Sequence, residues 1–410
     1  MNRRVVVTGM GIVSPLGLTL NDTFNSLKSK RNFVKHMEEW EKIEGLHTKL
    51  ASPIENFTIP EHYTRKQTRS MGRTSVFAVR ASELALKDAG LLGSSELENG
   101  LTGVAYGSSS GSVDSFYDFY SILKTNTVSG ITSSSYIRMM PHTCPVNISV
   151  FFKLTGRLIP TGTACTSGSL GVGYGYEAIK YGHQDIMLAG GSEELSPTQA
   201  VVFDVLFATS TKNNTPGLTP RPYDKDRDGL VVGEGGATLV LEEYEHAIRR
   251  GAKIYAEVVG FATNTDGAHV TQPNKTTMSI VMKKALLSAS LPPESIGYIN
   301  GHGTATTQGD VAETHAVDTL FNRKMPISSQ KSYIGHTLGA CGAIESILSI
   351  LMMNDNWYAP TVNLENIDPE CADLEYIQSE GVTMDNEYVM NNNFAFGGIN
   401  SSLIFKKIIL

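Results

Sequence analysis

From Ser169 to Ile179 the chain reads Ser-Leu-Gly-Val-Gly-Tyr-Gly-Tyr-Glu-Ala-Ile, a proline-free segment that ends like a helix yet carries Gly171, Gly173 and Gly175. A glycine in an exposed helix interior costs about 1 kcal/mol relative to alanine. Such a helix forms only where close packing offsets that loss, so it is predicted to be buried. Immediately before it, Gly162-Thr163-Ala164-Cys165-Thr166-Ser167-Gly168 sets a cysteine among small residues. Cys165 therefore falls at the N-terminus of a buried helix, where the thiolate is favoured and small neighbours let a substrate approach the sulfur.

Two histidines lie far downstream in glycine-rich turns, His302 in Asn300-Gly301-His302-Gly303-Thr304 and His336 in Lys331-Ser332-Tyr333-Ile334-Gly335-His336. Neither turn has apolar periodicity, which argues against a core role for either ring. A thiolate with two imidazoles suits carbonyl chemistry. The other cysteines, Cys144, Cys341 and Cys371, read as buried structural residues. Four cysteines so scattered make neither a disulfide framework nor a CxxC zinc site, so reduced thiols and no metal are expected.

The 410 residues, 41% hydrophobic and 18% charged, suit an enzyme with a substantial core, and the net charge of -7 argues against a nucleic-acid binder. Met1-Asn2-Arg3-Arg4-Val5-Val6-Val7 reads as a first strand rather than a signal peptide. No uninterrupted apolar stretch approaches the roughly 20 residues of a membrane helix, and a cytoplasmic location is expected. Two motifs are lookalikes. Gly107-Ser108-Ser109-Ser110-Gly111 matches GxSxG without the strand-to-helix elbow and ordered acid and histidine of a hydrolase, and Gly9-Met10-Gly11-Ile12-Val13-Ser14 lacks the third glycine of a dinucleotide fingerprint.

Strand-like runs at 4–8, 102–106, 185–189, 237–241 and 256–259 alternate with helical stretches at 74–89 and 277–289, which predicts an α/β fold with buried sheets. An internal echo is visible: small residues, a reactive group and then a helix describe both the Cys165 segment and Ser332-Tyr-Ile-Gly-His336-Thr-Leu-Gly339 with its continuation.

Thr163-Ala164-Cys165-Thr166-Ser167, Asn300-Gly-His302-Gly-Thr304-Ala-Thr306, Gly309-Asp310-Val-Ala-Glu313, Lys331 through His336 and Asn393-Phe394-Ala395-Phe396-Gly397-Gly398-Ile399-Asn400 together resemble the elongating β-ketoacyl-acyl-carrier-protein synthases. The resemblance runs from Val5 to Phe405. It implies a thiolase-like fold, a duplication of βαβαβαββ halves stacked as five layers α-β-α-β-α. The halves would be residues 1–250, with Cys165, and 251–410, with His302 and His336.

The resemblance also implies the chemistry. Cys165 would take an acyl group from the phosphopantetheine thiol of an acyl carrier protein. Malonyl carrier protein would then lose CO2, and its carbanion would attack the acyl thioester. His302 and His336 would stabilise the enolate, while the N–H groups of Cys165 and Phe396 would form the oxyanion hole, Phe396 also acting as a gate. Lys331 and Glu345 would belong to the hydrogen-bond network, Thr304 and Thr306 would hold the pantetheine arm, and Glu313 would be structural. No bound cofactor is implied. Partners would be the carrier protein and either a second copy or a chain-length-factor homologue.

Several residues depart from the housekeeping pattern: Gly301 for alanine, Ala395 for glycine and Ile399 for threonine. At the acyl pocket Ser110 aligns where relatives carry a bulky aliphatic, and Phe394 and Ala395 flank the gate. These variants resemble the ketosynthases of bacterial aryl-polyene pathways, with housekeeping fatty-acid elongation as the alternative. A chain-length factor lacks the nucleophile and is opposed by Cys165. Initiating synthases use Cys, His and Asn, and thiolases act on coenzyme A esters; His336 favours elongation over both. Carrier proteins are acidic, and Lys66 and Arg69 align with docking residues, whereas a further docking arginine is replaced by Phe207.

Overall fold

The computed structural model describes residues 3–408; Met1, Asn2, Ile409 and Leu410, and with them the outer ends of the expected first strand and of the two halves, lie outside the described residues. The chain runs twice through one sequence of elements. The first pass is β1 (Val5–Val13), α1 (Arg73–Asp88), β2 (Thr102–Gly107), α2 (Thr143–Phe152), β3 (Leu158–Pro160), α3 (Ser167–Lys180), β4 (Ile186–Glu193) and β5 (Gly235–Glu243). The second is β6 (Ala256–Thr265), α4 (Lys275–Ala289), β7 (Ile296–Asn300), α5 (Thr307–Phe321), β8 (Pro326–Ser328), α6 (Cys341–Asp355), β9 (Tyr388–Ala395) and β10 (Ile399–Lys406).

Spatial order repeats as well. The ladder runs β3-β2-β4-β5-β1 and then β6-β10-β9-β7-β8, with one further two-residue strand, Glu375–Tyr376, beyond β8; that addition aside, each half places its strands third, second, fourth, fifth, first from the outside inward. The halves join where Val5, Val6 and Val7 pair with Val258, Glu257 and Ala256.

The strands are apolar on both faces because each face meets helices. Ala105, Met187, Ala189, Leu239, Leu241, Leu403 and Phe405 pack in the central cluster with Leu170, Val172, Ile344 and Ile347 of α3 and α6. Their sequence neighbours Val104, Tyr106, Leu188 and Val240 turn to the outer layer with Val76 and Val79 of α1 and Cys144 and Ile148 of α2. Met390 and Ile404 do likewise toward Met282 of α4 and Val317 of α5. This period of two across doubly covered sheets gives the five layers α-β-α-β-α.

The glycines of α3 are explained by contact. A Cβ at Gly171 would lie 2.4 Å from the Gly190 carbonyl oxygen, and one at Gly173 would lie 2.1 Å from the Phe261 ring. Close approach to both sheets is what this helix gains in place of side-chain volume. One helical span among the described residues, Leu338–Asp355, is long and apolar enough to cross a membrane, and 83% of it is buried within the protein.

Candidate active site

The two central helices begin alike. Ala164, at φ 51°, and Leu338, at φ 48°, each open a 3₁₀ turn that leads into α3 and α6 respectively. Non-glycine residues in the left-handed region cost free energy and gather at functional sites. Here the first of these turns lifts Cys165 onto the head of α3, where it is 5% exposed.

Above the sulfur lies a cavity of about 450 Å³. Cys165, His302, His336, Thr304, Thr306, Phe394, Ala395 and Phe396 all line it. Burial pushes the Cys165 thiol up to about 11; the charge of Lys331 and the N–H groups of Phe396 and Cys165 itself pull the other way. Those N–H groups converge on the thiol.

The imidazoles meet edge to face, their centroids 5.1 Å apart. His336 Nδ1 accepts the Leu338 N–H at 3.3 Å. That bond places the proton of the neutral ring on Nε2, which has no protein partner. Burial holds both histidines well below the ordinary range, with the Lys331 charge adding to it and, at His302, His336 as well. Both are neutral donors at physiological pH. Phe394 stands edge-on to His302 at 6.0 Å, and Phe203 packs on Phe396 at 5.0 Å and His336 at 6.4 Å.

Behind the cavity Lys331, 2% exposed, is ion-paired with Glu345. Burial opposes its charge, but Glu345, with Cys341 and Glu313, more than offsets that, and the Lys331 pKa is raised. Asn393 Nδ2 donates to the other Glu345 oxygen at 2.7 Å. Cys341 is buried as expected, and its thiol donates to the Cys165 carbonyl at 3.2 Å.

Two buried carboxylates shape the His302 loop. Glu313 accepts the N–H of His302 at 2.6 Å and of Gly303 at 2.7 Å. Asp310 accepts those of Thr304 at 3.0 Å and Ala305 at 3.2 Å. Burial raises Glu313 to about 7 and Asp310 to about 6. The Thr304 and Thr306 hydroxyls pair at 2.9 Å within this loop. Gly301 has a packing reason, since a Cβ there would lie 2.2 Å from the Tyr223 hydroxyl.

The structure separates three predicted residues from this assembly. Ser110 is not on the cavity wall; its hydroxyl lies at Glu193 Oε1, 3.5 Å away, and accepts from Gln199 at 3.4 Å. Ser110 thus belongs to a polar cluster around the buried Glu193 carboxylate. Lys66 and Arg69 are exposed in and beside helix Arg65–Thr68, away from the cavity wall. Sequence reasoning did not single out Phe203, Asn393 or the Asp266 loop. Asp266 accepts from Asn400 at 2.7 Å, and its N–H donates to the Gly398 carbonyl at 2.8 Å, clasping the turn after Phe396. Asn393 and Asn400 bound the motif that marks this turn, and only their folded neighbours reveal what they hold.

Residues 2–247 match the family described as beta-ketoacyl synthase, N-terminal domain, and residues 255–365 its C-terminal domain. A 3-oxoacyl-[acyl-carrier-protein] synthase 2 of Vibrio harveyi is 36% identical over 414 residues, covering 99% of each chain. A beta-ketoacyl synthase from Burkholderia phymatum has a solved structure that is similar with a TM-score of 0.98 and 56% identity, covering 99% of this chain and 100% of that one. A type II polyketide ketosynthase, solved in complex with its acyl-carrier protein and bound to the hexaketide, superposes with a TM-score of 0.88 at 30% identity over the full length of both chains.

Proposed function

The chain belongs to the beta-ketoacyl synthase family and is an acyltransferase of the 3-oxoacyl-[acyl-carrier-protein] synthase type; from that premise we propose that it condenses malonyl carrier protein with an acyl group held on Cys165. The observation that carries the residue assignment is the convergence of a thiol, two N–H groups and two neutral imidazoles on one cavity.

In the first half-reaction the Cys165 sulfur attacks the thioester carbonyl of the incoming acyl carrier protein. The oxyanion is held by the N–H groups of Cys165 and Phe396. The C–S bond to the carrier breaks, and the thiol proton leaves with the carrier sulfur. In the second, malonyl carrier protein binds with its thioester carbonyl toward His302 and His336. Loss of CO2 leaves the electron pair on the α-carbon as an enolate, stabilised by neutral N–H donors that need no change of charge. That carbon attacks the acyl thioester, and Cys165 departs as thiolate. Lys331, held by Glu345, offsets part of the burial that opposes the thiolate. The residues themselves supply every group these steps require, so no resident cofactor is assigned. We assign the nucleophile to the half 1–250 and the histidines to the half 251–410, in a cytoplasmic setting suited to free thiols.

A partner subunit fits the edge. Strand β3 leaves the outer side of the ladder uncovered, and Tyr117, Leu123, Val128 and Val150 stand exposed on the same half; such an edge calls for covering, here by a second copy or a homologue without the nucleophile. For pathway, we propose an aryl-polyene type of specialised elongation, supported by Ala395 and Ile399 at the turn flanking Phe396. Gly301 does not support it, being accounted for by Tyr223. Competing a saturated acyl carrier protein with an aryl-polyenoyl one tests that choice; preference for the saturated chain would favour housekeeping elongation. The condensation itself is tested with Cys165→Ala, which should retain its fold and carry no acyl group by intact mass. Persistent acylation at another residue would overturn it.

A further inference from the structure

One buried carboxylate takes no part in either half-reaction. Glu193 ends strand β4, is fully buried, and meets only neutral donors. Its Oε2 accepts the Ser109 N–H at 2.7 Å and the Gly339 N–H at 3.1 Å. Its Oε1 accepts the Gln199 amide at 3.2 Å and lies 3.5 Å from the Ser110 hydroxyl. Burial pushes Glu193 up to about 7, with the Ser109 and Gly339 N–H groups pulling the other way. A carboxyl so placed is costly to bury. What it secures is a strained turn.

That turn sets the ring of His336. The main chain of His336 is held independently of it: the His336 N–H donates to the Val231 carbonyl at 2.7 Å, and the His336 carbonyl accepts the Gly233 N–H at 2.9 Å. Those bonds leave the imidazole free to rotate. The ring is fixed by the Leu338 N–H, which donates to Nδ1 and so keeps the proton on the unpartnered Nε2. Leu338 does this from φ 48°, in the left-handed region, where a side chain is strained. Strain of this kind persists only when its surroundings over-determine it.

The next residue supplies that determination, for Gly339 is gripped at both its N–H and its carbonyl. The N–H is taken by Glu193. The carbonyl oxygen is wedged between two glycines, 2.2 Å from where a Cβ on Gly191 would stand and 3.0 Å from one on Gly168. Gly191 belongs to β4, as Glu193 does, and Gly168 to the first turn of α3 just after Cys165. Strand β4 therefore holds the turn by a backbone contact and a carboxylate. The same carboxylate oxygen ties it to Ser109.

We propose that Glu193 is a positioning residue for decarboxylation: through the Gly339 N–H it holds the Leu338 turn, and through the Leu338 N–H that turn holds His336 with Nε2 free to donate to the enolate. This rests on the ketosynthase reading. Because a single oxygen accepts both backbone N–H groups, an amide of the same length keeps both bonds. A carboxylate one methylene shorter draws back from them, and a side chain without oxygen has neither. Acylation of Cys165 relies on the N–H groups of Cys165 and Phe396 and needs no donor from His336.

The test compares wild type with Glu193→Gln, Glu193→Asp and Glu193→Met, each checked for cooperative urea unfolding. CO2 released from malonyl carrier protein and acyl-enzyme formed on Cys165 are measured side by side. Glu193→Asp and Glu193→Met should lower the kcat of decarboxylation about tenfold or more, with the KM for malonyl carrier protein and the rate of acylation within about threefold of wild type. Glu193→Gln should keep decarboxylation within about threefold, although it has lost the charge. Equal losses of both activities would overturn the proposal, as would wild-type decarboxylation in the shortened and oxygen-free variants. A glutamine variant as impaired as the aspartate one would overturn it too, and failure of both Glu193→Asp and Glu193→Met to fold would assign Glu193 to the fold alone. If wild type releases no CO2 from malonyl carrier protein, the ketosynthase reading falls on its own.

Discussion

Glu313 lies under the His302 loop with both oxygens committed to backbone N–H groups, and burial raises its carboxyl from 4.5 to about 7. Below pH 4.5 the folded and unfolded chains both hold that proton. As pH rises from 4.5 to 7 the unfolded chain ionises first, the folded one binds more protons, and stability falls. The loss is complete above pH 7 and amounts to about 3 kcal/mol, at about 1.4 kcal/mol per tenfold change in proton affinity. Glu313→Gln removes the titration. Its amide resembles the protonated carboxyl, with one oxygen accepting an N–H group and the NH2 standing where the acid carries its hydroxyl, so against the protonated wild type it costs little. The variant should therefore match wild type to within about 1 kcal/mol near pH 5 and should be more stable than wild type by about 3 kcal/mol at pH 8. Glu193, also raised, titrates in both proteins and cancels in the difference, while Asp310, whose charge helps raise Glu313, ionises more readily once that charge is gone and adds to the gain at high pH. Urea midpoints at the two pH values, at fixed protein concentration, measure it. A stability gap of the same size at both would refute the reasoning that this carboxyl is buried uncompensated.

Lys331→Met should destabilise the fold by about 3 to 5 kcal/mol because Glu345 is left as an unpaired buried charge; Lys331→Met/Glu345→Gln should restore stability without restoring alkylation of Cys165, whose pH profile should move to higher pH. Cooperative unfolding of the single variant at the wild-type midpoint would contradict this. His302→Ala and His336→Ala should lower malonyl decarboxylation more than Cys165 acylation, measured as released CO2 and acyl-enzyme mass; equal losses in both would undo the division of labour. Charge reversal at Lys66 and Arg69 should raise the KM for carrier-borne substrate and flatten its salt dependence, and an unchanged KM would return both to solvent.

Strands whose residues face helices on both sides were legible as apolar runs, which is why β1, β2, β4, β5 and β6 stand out in the sequence. Strands β9 and β10 were not, since Asn391, Asn392, Asn393, Ser401 and Ser402 interrupt them with polar residues that are nonetheless fully buried. The asparagines find partners on distant segments, since Asn300 donates to Asn391 at 2.7 Å, Asn391 donates to the Gly342 carbonyl at 3.1 Å and Asn393 donates to Glu345, whereas the Ser401 and Ser402 hydroxyls have no protein partner. A buried polar group is inexpensive only when bonded, and periodicity cannot announce bonds between segments so far apart in sequence. The histidines and Cys165 were legible for the opposite reason, because small residues and tight turns must surround a group that a substrate has to reach. The contact of Ser110 with Glu193 is of the same kind as those of the asparagines, a polar approach between segments 83 residues apart that no local pattern announces.

The internal echo is physical, but its register differs from the one the reactive residues suggest. Cys165 and His336 both follow small residues and precede a central helix, which invites pairing them. The backbone pairs Ala164 with Leu338 instead, each in the left-handed region and each opening a 3₁₀ turn. Counting from those residues, Cys165 corresponds to Gly339, and His336 has already passed two residues earlier. Gly339 could not carry a side chain, because a Cβ would lie 2.7 Å from the Ser109 nitrogen and 2.8 Å from Glu193 Oε2. Its N–H donates to that same carboxylate at 3.1 Å. In one half the turn exposes a nucleophile to a cavity; in the other the equivalent position is closed by Glu193 and packed against the first. The duplication thus supplies two helix heads that meet at the centre of the molecule, one open to the cavity and the other closed by a carboxylate.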